Sequence, residues 1–337
     1  MKKVLLYSGG MDSWIIRRLY RPDACVYVDM KTRYSSRERM RLPADVQVVD
    51  FPLGQWERPD AIIPLRNLFL CMVACNLYQD DDLDICLGAT AGDRVLDKSH
   101  EFCEKASDLL SFLWRRQHWT AGRNIRVNID YKQMTKTQLL ARYIAEGGDM
   151  EQAWRESFSC YNPVYTADGM GTPCGRCKPC FRKFVSFAIN GRQFTDEEIE
   201  KTCSYIMEEI YPDIQRGVYG RADEEREIKK VLEKYGYIPK TEIYAVDFDD
   251  TLTAASPFPV TGKIDEAMAE RIRELRRNGA RVVLYTSRNG YFLDEAKRIC
   301  RDAGLEFDEV VGGKPAADHY IDRSAMTPEQ FTKGGRQ

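Results

Sequence analysis

The sequence has no excess of either charge. Its 50 Lys+Arg stand against 52 Asp+Glu, leaving a net charge of −2 and a pI near 6.1. The broad basic footprint of a nucleic-acid binder is therefore missing, and only a local basic patch could stand in for it. A long apolar run is missing too. Nothing approaches the ~20 residues that cross a bilayer, and the apolar stretch in the opening "MKKVLLYSGG" ends well short of a signal peptide. These absences predict a cytoplasmic protein with no membrane partner. Cytosolic thiols stay reduced, so the 11 cysteines need a reason other than disulfides. Repeats and low-complexity segments are also absent. With 43% hydrophobic residues in 337, the chain can bury the cores of about two domains.

What is present is an alternation of short β-rich runs and helices, twice over. "KKVLLYS", "ACVYVDM", "VQVVDF" and "LDICLGA" have the composition of strands buried on both faces of a parallel sheet. "PLRNLFLCMVACNLYQ" predicts a helix opened by Pro64, and "TKTQLLARYIAEGG" one capped by Thr135 and stopped at Gly147. From about 195 to 240 the chain turns charged and helical, which reads as a linker. A new strand, "EIYAVDFDD", starts a second α/β unit that continues through "ARVVLYTSR", "FDEVVGGKP" and "HYID". The expected boundaries are 1–195, a helical linker at 196–240, and 241–337.

Two motifs carry chemistry in the first half. In "LLYSGGMDSW" a strand feeds a Gly-rich turn and then a helix, which points several backbone N–H groups and a helix N-terminus at one place. That is an anion site. A nucleotide-hydrolysing P-loop would need Lys-Ser or Lys-Thr after the glycines, and here Met11, Asp12 and Ser13 follow. Transfer of a γ-phosphoryl group is disfavoured, and release of pyrophosphate as a unit is favoured. The second motif is Cys160, Cys174, Cys177 and Cys180, spaced C-x13-C-x2-C-x2-C. Four thiolates at such spacing close a tetrahedral shell around structural zinc, with an iron–sulfur cluster as the alternative. Other cysteines, such as Cys71, Cys75 and Cys86, sit at apolar positions and read as small buried hydrophobes.

SGGxDS after a first strand resembles the PP-loop ATP pyrophosphatases, which adenylate an oxygen and release pyrophosphate. On that resemblance Asp12 helps hold Mg²⁺. With "IPLRN" at 63–67, "LGATAGD" at 87–93, "MTKTQLL" at 134–140 and "SCYNPVYTADGMGTPCGRCKPCFRK", the first 195 residues resemble the 7-cyano-7-deazaguanine synthase family of the queuosine and archaeosine pathway. The resemblance implies a doubly wound sheet with a zinc-bound tail, usually a homodimer. It implies conversion of 7-carboxy-7-deazaguanine and ammonia to the nitrile with ATP. Ser8, Gly9, Gly10, Asp12 and Ser13 would grip phosphates, Arg66 and Asn67 would stand at the mouth of the sheet on ATP, and Lys136 would meet phosphate or the developing charge. Two departures fall near the expected base pocket. "MKTRYSS" replaces the family's Tyr-Gly-Gln-Arg-His, and Thr90-Ala91-Gly92-Asp93-Arg94 replaces Asn-Ala-x-Asp-Tyr. They leave open whether the product is amide or nitrile. No glutaminase-like segment accompanies the motif, so ammonia comes free or from a donating partner. Another PP-loop ligase, such as a tRNA thiolase, and a scaffold with one inert domain are the competing readings. The acidic balance and the lack of a lone catalytic cysteine count against the thiolase, and the intact Ser-Gly-Gly and Asp247/Asp249 residues count against the scaffold.

In the second half, "VDFDDTLT" sets Asp247 and Asp249 two residues apart at a strand's end. There one carboxyl can attack phosphorus and the other can protonate the leaving oxygen. This resembles motif one of the haloacid-dehalogenase superfamily of phosphatases, a Rossmann-like fold. The resemblance extends to Thr286 in "LYTSR" and Lys314 in "GGKPAADHYIDRS" as phosphate contacts. Asp322, beside Asp247 and Asp249, would complete a Mg²⁺ shell; the family's usual second acidic residue is Arg323 here, with Asp318 as its substitute. The gap between the first two motifs is too short for a large cap domain. That implies an open site admitting a bulky phosphate ester.

Overall fold

Five short strands build the first sheet: β1 (Lys2–Leu6), β2 (Ala24–Asp29), β3 (Gln47–Asp50), β4 (Leu83–Cys86) and β5 (Ile125–Asn128). They pair in parallel in the order β3-β2-β1-β4-β5. The description rests on a computed structural model and covers all residues except 61, 166–170, 278–279 and 324–337. Successive strand residues serve opposite faces. Val4 and Ile85 face a core completed by Cys71, Ala74 and Cys75 of α3 (Arg66–Leu77) and by Cys103, Ala106 and Leu110 of α4 (His100–Leu113). Leu5 and Cys86 face the other core, with Trp14, Ile15 and Ile16 of α1 (Met11–Tyr20) and Leu139 and Leu140 of α5 (Lys136–Ala145). A short helix, α2 (Ser35–Arg39), follows β2. The scattered cysteines are buried hydrophobes as predicted, and burial pushes the thiols of Cys75 and Cys103 up to about 11.

β5 and α4 are not among the elements the sequence predicts. The helix predicted from Pro64 starts instead at Arg66, because Leu65 takes a left-handed φ of 60°. Thr135 caps α5 as predicted, within a capping box completed by Gln138.

The segment expected to be a linker is part of the first core. After α6 (Met150–Glu156), a hairpin of β6 (Val164–Tyr165) and β7 (Gly171–Thr172), and α7 (Lys178–Ile189), three further α-helices follow, the first two joined by a π-helical turn at Ile206–Ile210. These are α8 (Asp196–Tyr205), α9 (Tyr211–Gln215) and α10 (Ala222–Lys234). Cys203, Ile214, Ile228, Val231 and Leu232 from them close over Phe181, Phe184, Val185 and Ala188 of α7. The composition averaged a charged outer face with an apolar inner one, so the amphipathic helices read as solvated. The first compact unit accordingly runs from Met1 to Ile238, and the second from Pro239 to Gln337.

The second unit carries β8 (Ile243–Asp247), α11 (Glu266–Arg277), β9 (Arg281–Thr286), α12 (Gly290–Asp302), β10 (Glu309–Gly312) and β11 (His319–Ile321). Its four strands are parallel in the order β10-β9-β8-β11. Val246, Phe248, Leu252, Ile272, Leu284 and Ala296 form its core. Among the described residues, no helix is long and apolar enough to cross a membrane.

Candidate functional site

The strand order of the first sheet reverses between β1 and β4, and parallel α/β sheets bind ligands beyond the strand ends at such a point. Ser8, Gly9 and Gly10 leave β1 there. Gly9 adopts a φ of 74°, which a side chain would resist, and so aims the start of α1 into the crevice. The N–H groups of Asp12 and Ser13 lie in the helix's first turn, where no intrahelical acceptor exists. Ser13 Oγ accepts from Ser8 N (3.3 Å) and donates to Gly10 O (3.1 Å). A distant segment ties down the rest of the turn. Phe158 N donates to Gly9 O (2.9 Å), and Met11 N donates to Ser159 Oγ (3.0 Å).

A cavity of about 350 Å³ opens in front of this turn. Ser8, Gly10, Asp12, Ser13, Arg66, Asn67 and Lys136 all line it. Of the predicted nucleotide set, only Gly9 does not, and its part is conformational. Lys136 donates to Asp12 Oδ2, while Asp12 Oδ1 is buried with no hydrogen-bond partner. Asn67 Nδ2 is likewise buried and unpartnered. A carboxylate oxygen without a donor suits a cation, and an amide without an acceptor suits a ligand oxygen. The residues present therefore fit both Mg²⁺ and a nucleotide.

The cavity's other wall comes from β2, which the sequence predicts, and from α2, which it does not. Glu38 accepts from Tyr27 Oη (2.9 Å), and burial pushes its carboxyl up. The departure at 30–36 faces the cysteine loop, where Tyr34 stacks on Tyr161 at 4.7 Å. Arg37 donates to Tyr161 O.

The four cysteines converge, with their sulfurs all within 4.8 Å of one another. Cys174 N donates to Cys160 Sγ (3.2 Å), and Cys177 caps α7, where the helix N-terminus favours a thiolate. Bonding to Cys160 and Cys180 drives the Cys177 thiol down. Four thiolates this close need a cation, and the closed Cys₄ set suits a structural zinc. The quoted family segment also includes 166–170, which lie outside the described residues. Lys183, missed because "CFRKF" suggests a solvated cation, is buried in α7. Its Nζ donates to Trp154 O and Ser157 O, both at 2.6 Å, and so holds the segment that braces the phosphate turn. Burial pushes Lys183 down to about 7.

In the second unit, the pairing of Ile321 with Val246 sets Asp322 beside Asp247 at the C-terminal edge. Burial, and then the Asp322 carboxylate, push Asp247 up to about 6. Thr251 Oγ1 donates to Asp247 (3.3 Å), and Tyr285 Oη donates to Asp322 (2.8 Å). Three predicted placements differ. Asp249 is paired with Arg288, a buried guanidinium that donates through Nε (2.9 Å) and Nη2 (2.7 Å), joined by Thr286 Oγ1 (3.4 Å). Among the described residues, the four cysteines are the only cluster tight enough for a metal ion. Asp318 sits at the opposite end of β8, bonded to Ile243 N (3.0 Å) and Lys240, so it cannot supply the acidic partner that Arg323 replaces beside Asp322. Lys314 is exposed, with its ammonium 4.4 Å from the Tyr320 ring centroid rather than paired with Asp247 or Asp249.

Residues 44–191 match the family described as queuosine biosynthesis protein QueC. The chain is also similar to 7-cyano-7-deazaguanine synthases. It is 25% identical to that of Chromohalobacter salexigens, over 56% of this chain and 83% of the relative. It is 26% identical to that of Marinobacter nauticus, over 56% and 93%, and 24% identical to that of Alteromonas mediterranea, over 56% and 94%. A solved structure of a conserved protein from Bacteroides thetaiotaomicron aligns at 27% identity over 29% of this chain and 94% of its own, with a TM-score of 0.24.

Proposed function

We propose that the first unit is an ATP-dependent C–N ligase that converts 7-carboxy-7-deazaguanine and ammonia into 7-cyano-7-deazaguanine. A carboxylate is a poor electrophile. Attack of its oxygen on the α-phosphorus of ATP gives an acyl adenylate and pyrophosphate, and ammonia then displaces AMP to leave the amide. A second adenylation, on the amide oxygen, lets the nitrile form as AMP leaves. The observation that carries this reading is the lysine-free phosphate turn, whose Asp12 faces Lys136 and keeps a buried oxygen unpartnered. Such a turn holds a pyrophosphate that departs whole. Mg²⁺ at Asp12 would screen the phosphates. Lys136, freed from Asp12, would then meet the charge that develops on the α-phosphate. The synthase relatives supply the substrate class.

The test is to incubate the protein with ATP, ammonium and 7-carboxy-7-deazaguanine and follow nucleotides and heterocycles by mass spectrometry. AMP and pyrophosphate should appear with amide and then nitrile, and Asp12→Asn should lower turnover at least tenfold, on the order of one lost charged contact. Release of ADP would sink the reading.

A second activity is proposed for the second unit, a phosphohydrolase with Asp247 as nucleophile, where Mg²⁺ would need Asp249 released from Arg288 to complete its shell. It is supported by the neighbouring Asp247 and Asp322 at the end of a parallel sheet.

A further inference from the structure

The loops after β8 and β9 leave the second sheet at the edge where Asp247 stands. Residues 253–264, in the first of these loops, carry Phe258. Ala254 N donates to Lys263 O (2.8 Å) and Thr253 pairs with Ile264, which closes the base of the loop. Ser256 N donates to Asp250 Oδ1 (3.2 Å) and ties one side of it to the sheet edge. Pro257 and Pro259 flank Phe258 and restrict its backbone. Phe292 of α12 meets the Phe258 ring at 5.0 Å, inclined by 60°. The fold thus holds this ring in place, yet leaves Phe258 67% exposed. A fixed aromatic ring open to solvent is a platform for stacking.

Arg288 joins the ring to the carboxylates. Its guanidinium carbon lies 5.7 Å from the Phe258 centroid, and its Nε and Nη2 donate to Asp249 (2.9 and 2.7 Å). Arg288 is only 3% exposed, so its charge is spent on its neighbours rather than on water. Lys314, expected to balance a phosphate, lies over Tyr320 instead. A fork of two N–H groups that grips a carboxylate grips two phosphate oxygens equally well. A phosphate monoester carries more charge than Asp249, so it can take the fork over and free Asp249 for the leaving oxygen.

We propose that this site is built for a nucleoside 5′-monophosphate. Arg288 takes the phosphate in exchange for Asp249, the base stacks on Phe258, and the ribose spans the gap between guanidinium and ring. The charge selects a phosphate ester, and the ring selects an ester whose alcohol carries a flat heterocycle. The inference rests on the phosphohydrolase reading for the fate of the ester, and on Arg288 and Phe258 for the seat. AMP, which the first unit's proposed reaction releases, is such a compound. Adenylations are then counted as AMP plus adenosine.

The test gives the full-length protein AMP or ribose 5-phosphate, with Mg²⁺, and follows phosphate release. The wild type should prefer AMP about tenfold or more in kcat/KM, the scale of one base stacked on an aromatic ring. Phe258→Leu should keep the melting temperature and lose that preference through KM, and Phe258→Trp should retain it. Arg288→Lys, which keeps the charge without the fork, should raise KM for both esters. Equal use of the two esters by the wild type, or a preference untouched in Phe258→Leu, overturns the seat and leaves the phosphohydrolase standing. An unchanged KM in Arg288→Lys overturns the exchange with Asp249. Photolabelling with 8-azidoadenosine 5′-monophosphate, mapped by peptide mass spectrometry, reads the seat without turnover. Label at residues 253–264 with no phosphate released from either ester upholds the seat and overturns the phosphohydrolase. No label there overturns the seat.

Discussion

At the scale of single residues, buried carboxylates are of two kinds, one whose partner a ligand can displace and one whose partners the fold keeps. Asp12 and Lys136 face each other across a cavity, and a cation and a phosphate can separate them. Asp29, at the end of β2, is of the second kind. Despite its burial, Lys31 (2.7 Å) and Arg39 (2.9 Å) hold its carboxyl down to about 2. A carboxyl held below its usual value of 3.8 stabilises the fold above pH ~4, and that contribution is lost as the pH falls towards 2. Both cations are half-exposed and screened, so Asp29→Asn should cost about 1–2 kcal/mol at pH 7. Urea unfolding from pH 7 down to pH 2 should show a flatter acid limb for the variant. Parallel acid limbs would mean that the pairs contribute nothing.

Between elements, the cysteine cluster and the phosphate turn form one mechanical unit. Cys160 follows directly on the segment whose Phe158 and Ser159 bond the turn, and Lys183 of α7 holds the same segment from behind. A closed Cys₄ shell has no open position for substrate, so its part is to fix this brace. Removing the metal with a chelator, or Cys177→Ser, should raise amide hydrogen exchange at residues 157–165 and 171–180. The effect should reach residues 8–13 through the two bonds to the turn, and AMP formation should fall with it. Unchanged protection at 8–13 after the metal is gone would separate the two sites.

For the whole molecule, two parallel sheets carry two different carboxylate arrangements, each complete within its own unit. Asp247 keeps a raised pKa near Asp322, whereas Asp249 is locked by Arg288. The proton donor role expected of Asp249 therefore requires its release from Arg288 first. In the full-length protein, Asp247→Asn should abolish Mg²⁺-dependent hydrolysis of an aryl phosphate and leave AMP formation at the wild-type rate. Retained hydrolysis would remove Asp247 from the nucleophile's place, and a matching loss of AMP formation would show that the units depend on each other.

What the sequence by itself determined is whatever is local along the chain. The strands of alternating facing, the Ser8-Gly9-Gly10 turn, the Thr135 cap and the two-residue cysteine gaps all arise from neighbours within a few residues, where backbone geometry leaves little choice. The place of Asp322 beside Asp247, by contrast, comes from the register between β8 and β11. The tertiary structure alone decided which distant residues meet: Asp12 with Lys136, Phe158 with Gly9, Arg288 with Asp249, and Arg94 with Gly220. It also turned a charged segment at 196–238 into a wall of the first core, because only packing against α7 shows which face of an amphipathic helix is inside. Contacts of that kind are fixed by sheet register and by the burial of apolar faces, and no short stretch of sequence encodes either.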